Sequence, residues 1–516
     1  MIYQNPVISG FYPDPSVCAA NGRFYLVTSS FQYFPGVPLF ESVDLVNWKQ
    51  IGHVLTRESQ VMLDRVRSSG GVFAPTIRYH EGRFYMITNN NSTNENFYVY
   101  TDDIYGEWSE PVRIDMNGID PSLLFDEGHV YALTNGQDDE GNWGIVQCEI
   151  DITTGEKLGA TKCLWKGSGG RYIESPHMYR IGSYYYLMIA EGGTEYGHMV
   201  TYTRSTSPWG PFTDYGKNPV LTNRNKAPFE IQGIGHGDLI RNSDGNWYMV
   251  TLGFRQIGTW EPYHNLGREV YLTPVHFDPE GWFTCGNDGT TDLSYEIPGD
   301  FAQVRKNEYT FRNTDWHIDW AYLRKYHPEN YHLSDKSALL RGTPVTLEDA
   351  DSPTFIALRQ KEFCMEAHAN VILDDGKKVA EKDAPFSLSK PVPSAGLTVY
   401  MCEDEHYDIE LAMTARGLAA QLKLCIGGVK HVHAMHFPKK DTNEKGATLI
   451  IRSDHDSYEF YAQFASDERP FFLGKGRTKY LSSEVSGGFT GVMLGMYAIG
   501  DCTAAFTDFS CEYKEV

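Results

Sequence analysis

The sequence lacks three kinds of feature. It has no Cys-x-x-Cys pair, no apolar run approaching membrane-spanning length, and, over residues 311–516, no long amphipathic helix. Its nine cysteines, at 18, 148, 163, 285, 364, 402, 425, 502 and 511, are odd in number and follow no metal or disulfide spacing. They read as reduced, mostly buried small residues. Positive charge is also scarce. A formal net charge of −22 argues against nucleic acid and anionic membranes as partners and leaves a neutral ligand. The opening MIYQNPVISG has neither a basic n-region nor an apolar h-region, so a soluble, cytoplasmic protein is the expectation.

What is present is size, aromatic rings and repetition. At 516 residues the chain exceeds one ordinary core and implies two or three domains. Aromatic residues make up 14%, with 33 Tyr and 10 Trp, which suits strands and also suits the stacking of sugar rings. A Gly-led strand signal occurs five times, as GRFYLVT (22–28), GRFYMIT (82–88), GHVYALT (128–134), GSYYYLM (182–188) and GNWYMVT (245–251). Spacings of roughly 45 to 65 residues, with two or more strands per unit, match propeller blades. Residues 1–300 are therefore read as a five-bladed β-propeller.

In a propeller the first strand of each blade lines the central channel, so one phase of the repeat converges near the axis. Eight residues before each leading glycine stand Asp14, Ala74, Asp120, Glu174 and Gly237, the last flanked by His236 and Asp238. Three of the five are carboxylates. Asp-Pro-Ser at 14–16 and 120–122 is also good turn chemistry, but three acids in phase resist ionising together, and a purely structural ring has little reason to carry them.

Trp48, Trp108 and Trp209 follow strands in polar turns and are expected at blade edges. Gly-rich loops at 68–71 and 166–170 lead toward inner strands. Residues 284–310 read as a linker, and 311–516, with short alternating runs such as GLTVYMCED and YEFYAQF, as a C-terminal β-sandwich of jelly-roll or concanavalin A-like type. His431, His433 and His436 tempt as a metal site. No Cys or acidic partner stands at ligand spacing, so an ordinary surface strand is expected.

YPDPS, GGVFAPTIRY, GIDPSLLF, IESPHMYR followed by YYYLMIAEGGTEYGH, HGDLI and LGRE together resemble glycoside hydrolase family 43, in its two-domain branch of β-xylosidases and α-L-arabinofuranosidases. The resemblance covers nearly the whole chain. It implies Asp14 as the general base, Asp120 as the residue that orients and tunes the acid, Glu174 as the general acid, and Arg268 as a holder of sugar hydroxyls. It also implies aromatic walls at Phe31 and Phe73, Phe489 reaching over the site from the sandwich, and His236 as an axial histidine beside water or an optional calcium, with no cofactor required. Blade order agrees with these roles. Asp120 and Glu174 come from consecutive blades, whereas Asp14 stands two blades from Glu174 and leaves room for water, as an inverting pair at roughly 6.5–9.5 Å needs.

Phe73 stands where many relatives carry Trp, and IESPH replaces the IEGPH of many close xylosidase relatives; both depart from the xylosidase pattern. The expected activity is exo-acting, inverting release of α-L-arabinofuranose and β-D-xylose from arabinoxylo- and xylo-oligosaccharides, with arabinofuranosidase leading and a dedicated β-1,4-xylosidase as the alternative. A non-catalytic sugar-binding propeller is a more distant rival. So is a retaining fructan-active enzyme, although the Arg-Asp-Pro and Glu-Cys pairs of that group are missing. Homodimers and tetramers are frequent among the relatives, and the sequence selects no oligomeric state.

Overall fold

The computed structural model describes residues 1–374, 391–439 and 444–514. Each of the five Gly-led repeats forms the second strand of a four-stranded antiparallel blade, because the glycine turns the chain between the inner strand and a run of aromatic and branched residues. The inner strands are Ser16–Ala20, Thr76–His80, Ile119–Asp126, Glu174–Ile181 and Ile231–Arg241. Every blade is one continuous stretch of chain, and blades 5 and 1 are joined both by side chains and by the N-terminal stretch, whose Val7 and Tyr12 N–H groups donate to the Val270 and Arg268 carbonyls of blade 5 (2.8 and 3.0 Å). Val17 and Leu26 of blade 1 pack with Val250 and Leu272 of blade 5.

At the axis a single carboxylate joins four blades. Asp238 of blade 5 accepts from Ser16 Oγ (2.6 Å) and Val17 N (3.0 Å) of blade 1, from both Arg78 Nη atoms of blade 2 (2.8 and 3.2 Å), and from the Tyr179 hydroxyl of blade 4 (2.5 Å). Arg78 also bonds His177 Nδ1 at 2.8 Å. Buried charge is tolerable here because it is paired and hydrogen-bonded on every side.

The stretch expected as linker is tied down. Blade 5 ends at Phe283–Cys285, and Ser294–Glu296 then returns to pair with Ile2–Gln4 at the N-terminus. The expected linker also runs into the second unit, whose first strand is Glu308–Thr310. Trp108 is buried, whereas Trp48 and Trp209 are partly buried.

The second unit is a sandwich of two eight-stranded sheets. In one sheet, strands such as Ser457–Phe464 alternate strictly between buried and half-exposed residues, as a sheet with one wet face does. In the other, Met493–Ile499 is buried along its whole length because its outer face rests on the propeller. Phe355, Tyr400 and Tyr497 of the sandwich pack with Phe11, Phe31 and Tyr33 of blade 1. Tyr33–Phe34 goes further and pairs as a strand with Ala321–Leu323, so the propeller supplies the edge strand of that sheet.

Among the described residues the helices are short: the four-residue turn Ser483–Ser486 and two 3₁₀ turns, and none is long and apolar enough to cross a membrane. His431 and His433 lie on the exposed edge strand Val429–His436, with ring centroids 6.1 Å apart. His436 finds an acidic partner that sequence spacing did not reveal, Asp467, at 2.8 Å. Among the described residues no cluster of three or more metal-ligating side chains occurs.

Candidate active site

The inner strands of blades 3, 4 and 5 are irregular near Asp120, Glu174 and His236. Register shifts fall between Ile119 and Ser122, between Glu174 and His177, and around Gly235 to Asp238. Asp14, Asp120, Ser175, His236 and Phe31 all have φ between 49° and 56°, a left-handed conformation that costs non-glycine residues energy. Bulges of this kind re-aim side chains at the rim of a sheet. Here they turn Asp120, Glu174 and His236 into one cavity of about 580 Å³, which Asp14 enters from the turn ahead of the regular blade 1 strand. Blade 2 presents Ala74 at its phase, and blade 5 presents His236 in place of Gly237, a one-residue offset set by its bulge.

Arg268 organises the floor. Its Nη1 donates to Asp14 Oδ1 (2.9 Å) and to Thr194 Oγ1 (2.9 Å), while Nη2 donates to the backbone oxygen of Phe489 (3.1 Å). Ser29 Oγ donates to the other Asp14 oxygen at 2.5 Å. Burial pushes the Asp14 pKa up, but Arg268, His236 and the Ser29 hydroxyl outweigh it and hold the carboxyl below the usual aspartate range. Asp14 is therefore ionised.

The opposite pair behaves in the opposite way. Burial, and then the charge of Asp14, push Glu174 up to about 7 against the partial relief of Arg268. Burial and the charges of Glu174 and Asp14 raise Asp120 well above the ordinary value, although its Oδ2 accepts from Ser175 N at 3.0 Å. Asp120 and Glu174 thus titrate as a pair that retains a proton near neutral pH.

Three phenylalanines wall the cavity. Phe31 lies 5.3 Å from Phe73 and 6.1 Å from Phe489, and Phe73 lies 6.1 Å from Phe489, centroid to centroid. Phe489 belongs to the sandwich. Its N–H donates to Ser69 Oγ (2.8 Å), and Ser69 N in turn donates to Gln32 Oε1 (3.0 Å). The cavity therefore gathers all eight residues singled out in the sequence: Asp14, Asp120, Glu174, Phe31, Phe73, Arg268, His236 and Phe489.

Others were not foreseen. Thr194 and His198 line the cavity from the loop after the second strand of blade 4, and His264 and Glu484 stand on its wall. The glutamate comes from SSEVSGGF, which carries no repeat signal. Arg78 lies inside GGVFAPTIRY at a position that no repeat phase marks.

The residues around His236 do not fit a calcium ion. Calcium wants six to eight oxygen ligands. The His236 ring contributes nitrogen, with Nδ1 3.6 Å from Asp14 Oδ1, and both Asp14 oxygens already accept from Arg268 and Ser29. Asp238 is saturated by its own donors, and the cationic charge on the axis is supplied by Arg78. Burial pushes the His236 pKa down, against the pull of the Asp14 charge.

Against known proteins, the profile described as glycosyl hydrolases family 43 matches residues 3–283, and that of the beta xylosidase C-terminal concanavalin A-like domain matches 308–512. A non-reducing end alpha-L-arabinofuranosidase of Bacteroides ovatus, BoGH43B, is 37% identical over 511 residues, covering 97% of this chain and 92% of that protein. A xylosidase/arabinosidase of Butyrivibrio fibrisolvens is 33% identical, covering 100% of this chain and 98% of its own. Among solved structures, a xylan beta-1,4-xylosidase of Bacillus halodurans superposes with a TM-score of 0.88 at 28% identity, over 99% of this chain and 100% of its own.

Proposed function

The chain belongs to glycosyl hydrolase family 43, and we propose that it is an exo-acting, inverting glycosidase that releases terminal α-L-arabinofuranose and β-D-xylose from arabinoxylo- and xylo-oligosaccharides. The observation that carries this reading is the split between the acids. Asp14 is held ionised by Arg268, while Glu174, in the same cavity, is pushed up to about 7. Single displacement needs this division, one carboxylate to take a proton from water and one carboxyl to give a proton to the leaving oxygen.

In this mechanism Glu174 protonates the glycosidic oxygen, Asp14 draws a proton from the attacking water, and Asp120 keeps the acid protonated and positioned through Ser175 N. Arg268 and Thr194 hold hydroxyls of the terminal sugar, and Phe31, Phe73 and Phe489 exclude water from its apolar face. The phenylalanine at 73 and the name of the Bacteroides ovatus relative both favour arabinofuranosidase activity leading. A dedicated β-1,4-xylosidase is the second reading, favoured by the superposition on the Bacillus halodurans structure. Nine unpaired cysteines suit a reducing, cytoplasmic compartment in which imported oligosaccharides are trimmed.

The test is paired kinetics on 4-nitrophenyl α-L-arabinofuranoside and 4-nitrophenyl β-D-xylopyranoside, with Glu174→Ala as control and NMR of the first-formed anomer. Turnover of both, faster on the arabinofuranoside and with inverted configuration, supports the proposal. A retained anomer overturns the mechanism, and a dominant xyloside activity selects the second reading.

A further inference from the structure

Outward from the acids the cavity becomes wetter. Asp14, Asp120, Arg268 and His236 are at most 8% exposed, whereas Phe489 is 39% and Tyr172 is 61% exposed. In an exo-acting pocket the terminal sugar occupies the closed end, so the leaving group must lie against this outer wall. The wall is built from separate stretches of chain: Tyr172 ahead of the blade 4 inner strand, Glu195 and Tyr196 after its second strand, His264 from blade 5, and Glu484 from the sandwich.

Glu484 is held in place by its neighbours. Its Oε1 accepts from His264 Nδ1 (2.8 Å) and from the Tyr196 hydroxyl (2.9 Å), and its Oε2 accepts from the His264 backbone N–H (3.0 Å). Two carboxylate oxygens offer about four acceptor directions. Three are taken by these neighbours and the Glu484 backbone N–H also turns toward the carboxylate, yet the side chain stays 23% exposed on the cavity wall. Burial pushes its pKa up, but the His264 side chain and backbone outweigh that and hold it below the usual glutamate range. It is an ionised acceptor facing the place of the leaving group, and it takes no part in the mechanism above.

Tyr172 supplies the complementary surface. Its φ is 53°, and its ring lies where a Cβ on Gly193 would come within 3.0 Å, so Gly193 leaves the ring its place on the wall. The nearby cation, Arg171, is paired with Glu195.

We propose that Tyr172 and Glu484 form a leaving-group subsite for a neutral sugar, the ring offering an apolar face to stack on and the carboxylate accepting hydroxyl hydrogens. With Glu484 ionised and Arg171 already paired, the subsite disfavours a leaving residue that carries its own carboxylate. The proposal rests on the glycosidase reading and adds the chemistry of the leaving group to it.

The experiment compares kcat/KM for an oligosaccharide with kcat/KM for the 4-nitrophenyl glycoside of the same terminal sugar, in wild type, Glu484→Gln and Tyr172→Ala. The first variant preserves shape, and the second removes a largely exposed ring. In each, the oligosaccharide-to-aryl ratio is expected to fall about tenfold, mainly through KM, the size of effect that a lost sugar contact gives. A ratio unchanged in both variants, even with both activities reduced together, overturns the subsite and leaves Glu484 as a brace for the loop that carries Phe489. Wild type that turns over the aryl glycoside with that outcome leaves the glycosidase reading standing; wild type that turns over neither substrate overturns both.

Discussion

At the scale of single residues, the chemistry turns on how one buried cation is shared out. Arg268 touches Asp14 directly at 2.9 Å, whereas for Glu174 it offsets burial and the charge of Asp14 only in part. The expected pH profile of kcat/KM is a bell. Its alkaline limb falls as pH rises through about 7, where Glu174 loses the proton it must donate, and its acid limb lies below the ordinary aspartate value because Asp14 stays ionised there. Glu174→Ala, assayed on a substrate whose leaving group needs no proton, removes the alkaline limb and keeps the acid one; a variant that retains the alkaline limb transfers the acid role elsewhere. Stability has the same sign. A carboxyl raised from 4.5 to about 7 on folding is best tolerated below 4.5 and costs stability as pH climbs to 7.

At the scale of elements, strand irregularity makes the site. A regular inner strand would place alternate side chains on alternate faces, and the bulges in blades 3, 4 and 5 break that rule where a carboxylate or imidazole must point into the channel. The blade 5 bulge also depends on a missing side chain. A Cβ at Gly235 would sit 2.4 Å from Nδ1 of His198, a buried ring that bonds the Gly233 carbonyl. Gly235→Ala is therefore expected to cost about 1–3 kcal/mol in urea denaturation and to lower kcat/KM by displacing His236. Unchanged stability and activity would show that the blade 5 strand can shift without disturbing the site.

At the scale of the whole molecule, the propeller and the sandwich are interdependent. The sandwich borrows Tyr33–Phe34 as an edge strand, and the propeller borrows Phe489 as a pocket wall. The ring is clasped at its axis by Arg78 and Asp238. We expect one calorimetric unfolding transition, not shifted by a chelator or by added calcium. Arg78→Ala, which leaves the Asp238 carboxylate buried with only neutral donors, should lower stability by about 3 kcal/mol. A chelator that lowers the melting temperature of the wild type would return a structural metal to the axis.

The sequence by itself determined the repeat and its phase. Five Gly-led strands at blade spacing require an all-β ring, and in-phase positions must converge, so Asp14, Asp120 and Glu174 could be picked out before any contact was seen. Alternation in strands such as Ser457–Phe464 likewise carried the sandwich. Contacts between residues far apart in the chain were decided only by tertiary structure. Asp467 beside His436, Glu484 on the pocket wall and Tyr33–Phe34 in the sandwich sheet lie on no period that a sequence shows. Which acid keeps its proton was also decided there, because pKa values depend on burial and on the distance to Arg268, and both arise only once the blades close around the axis.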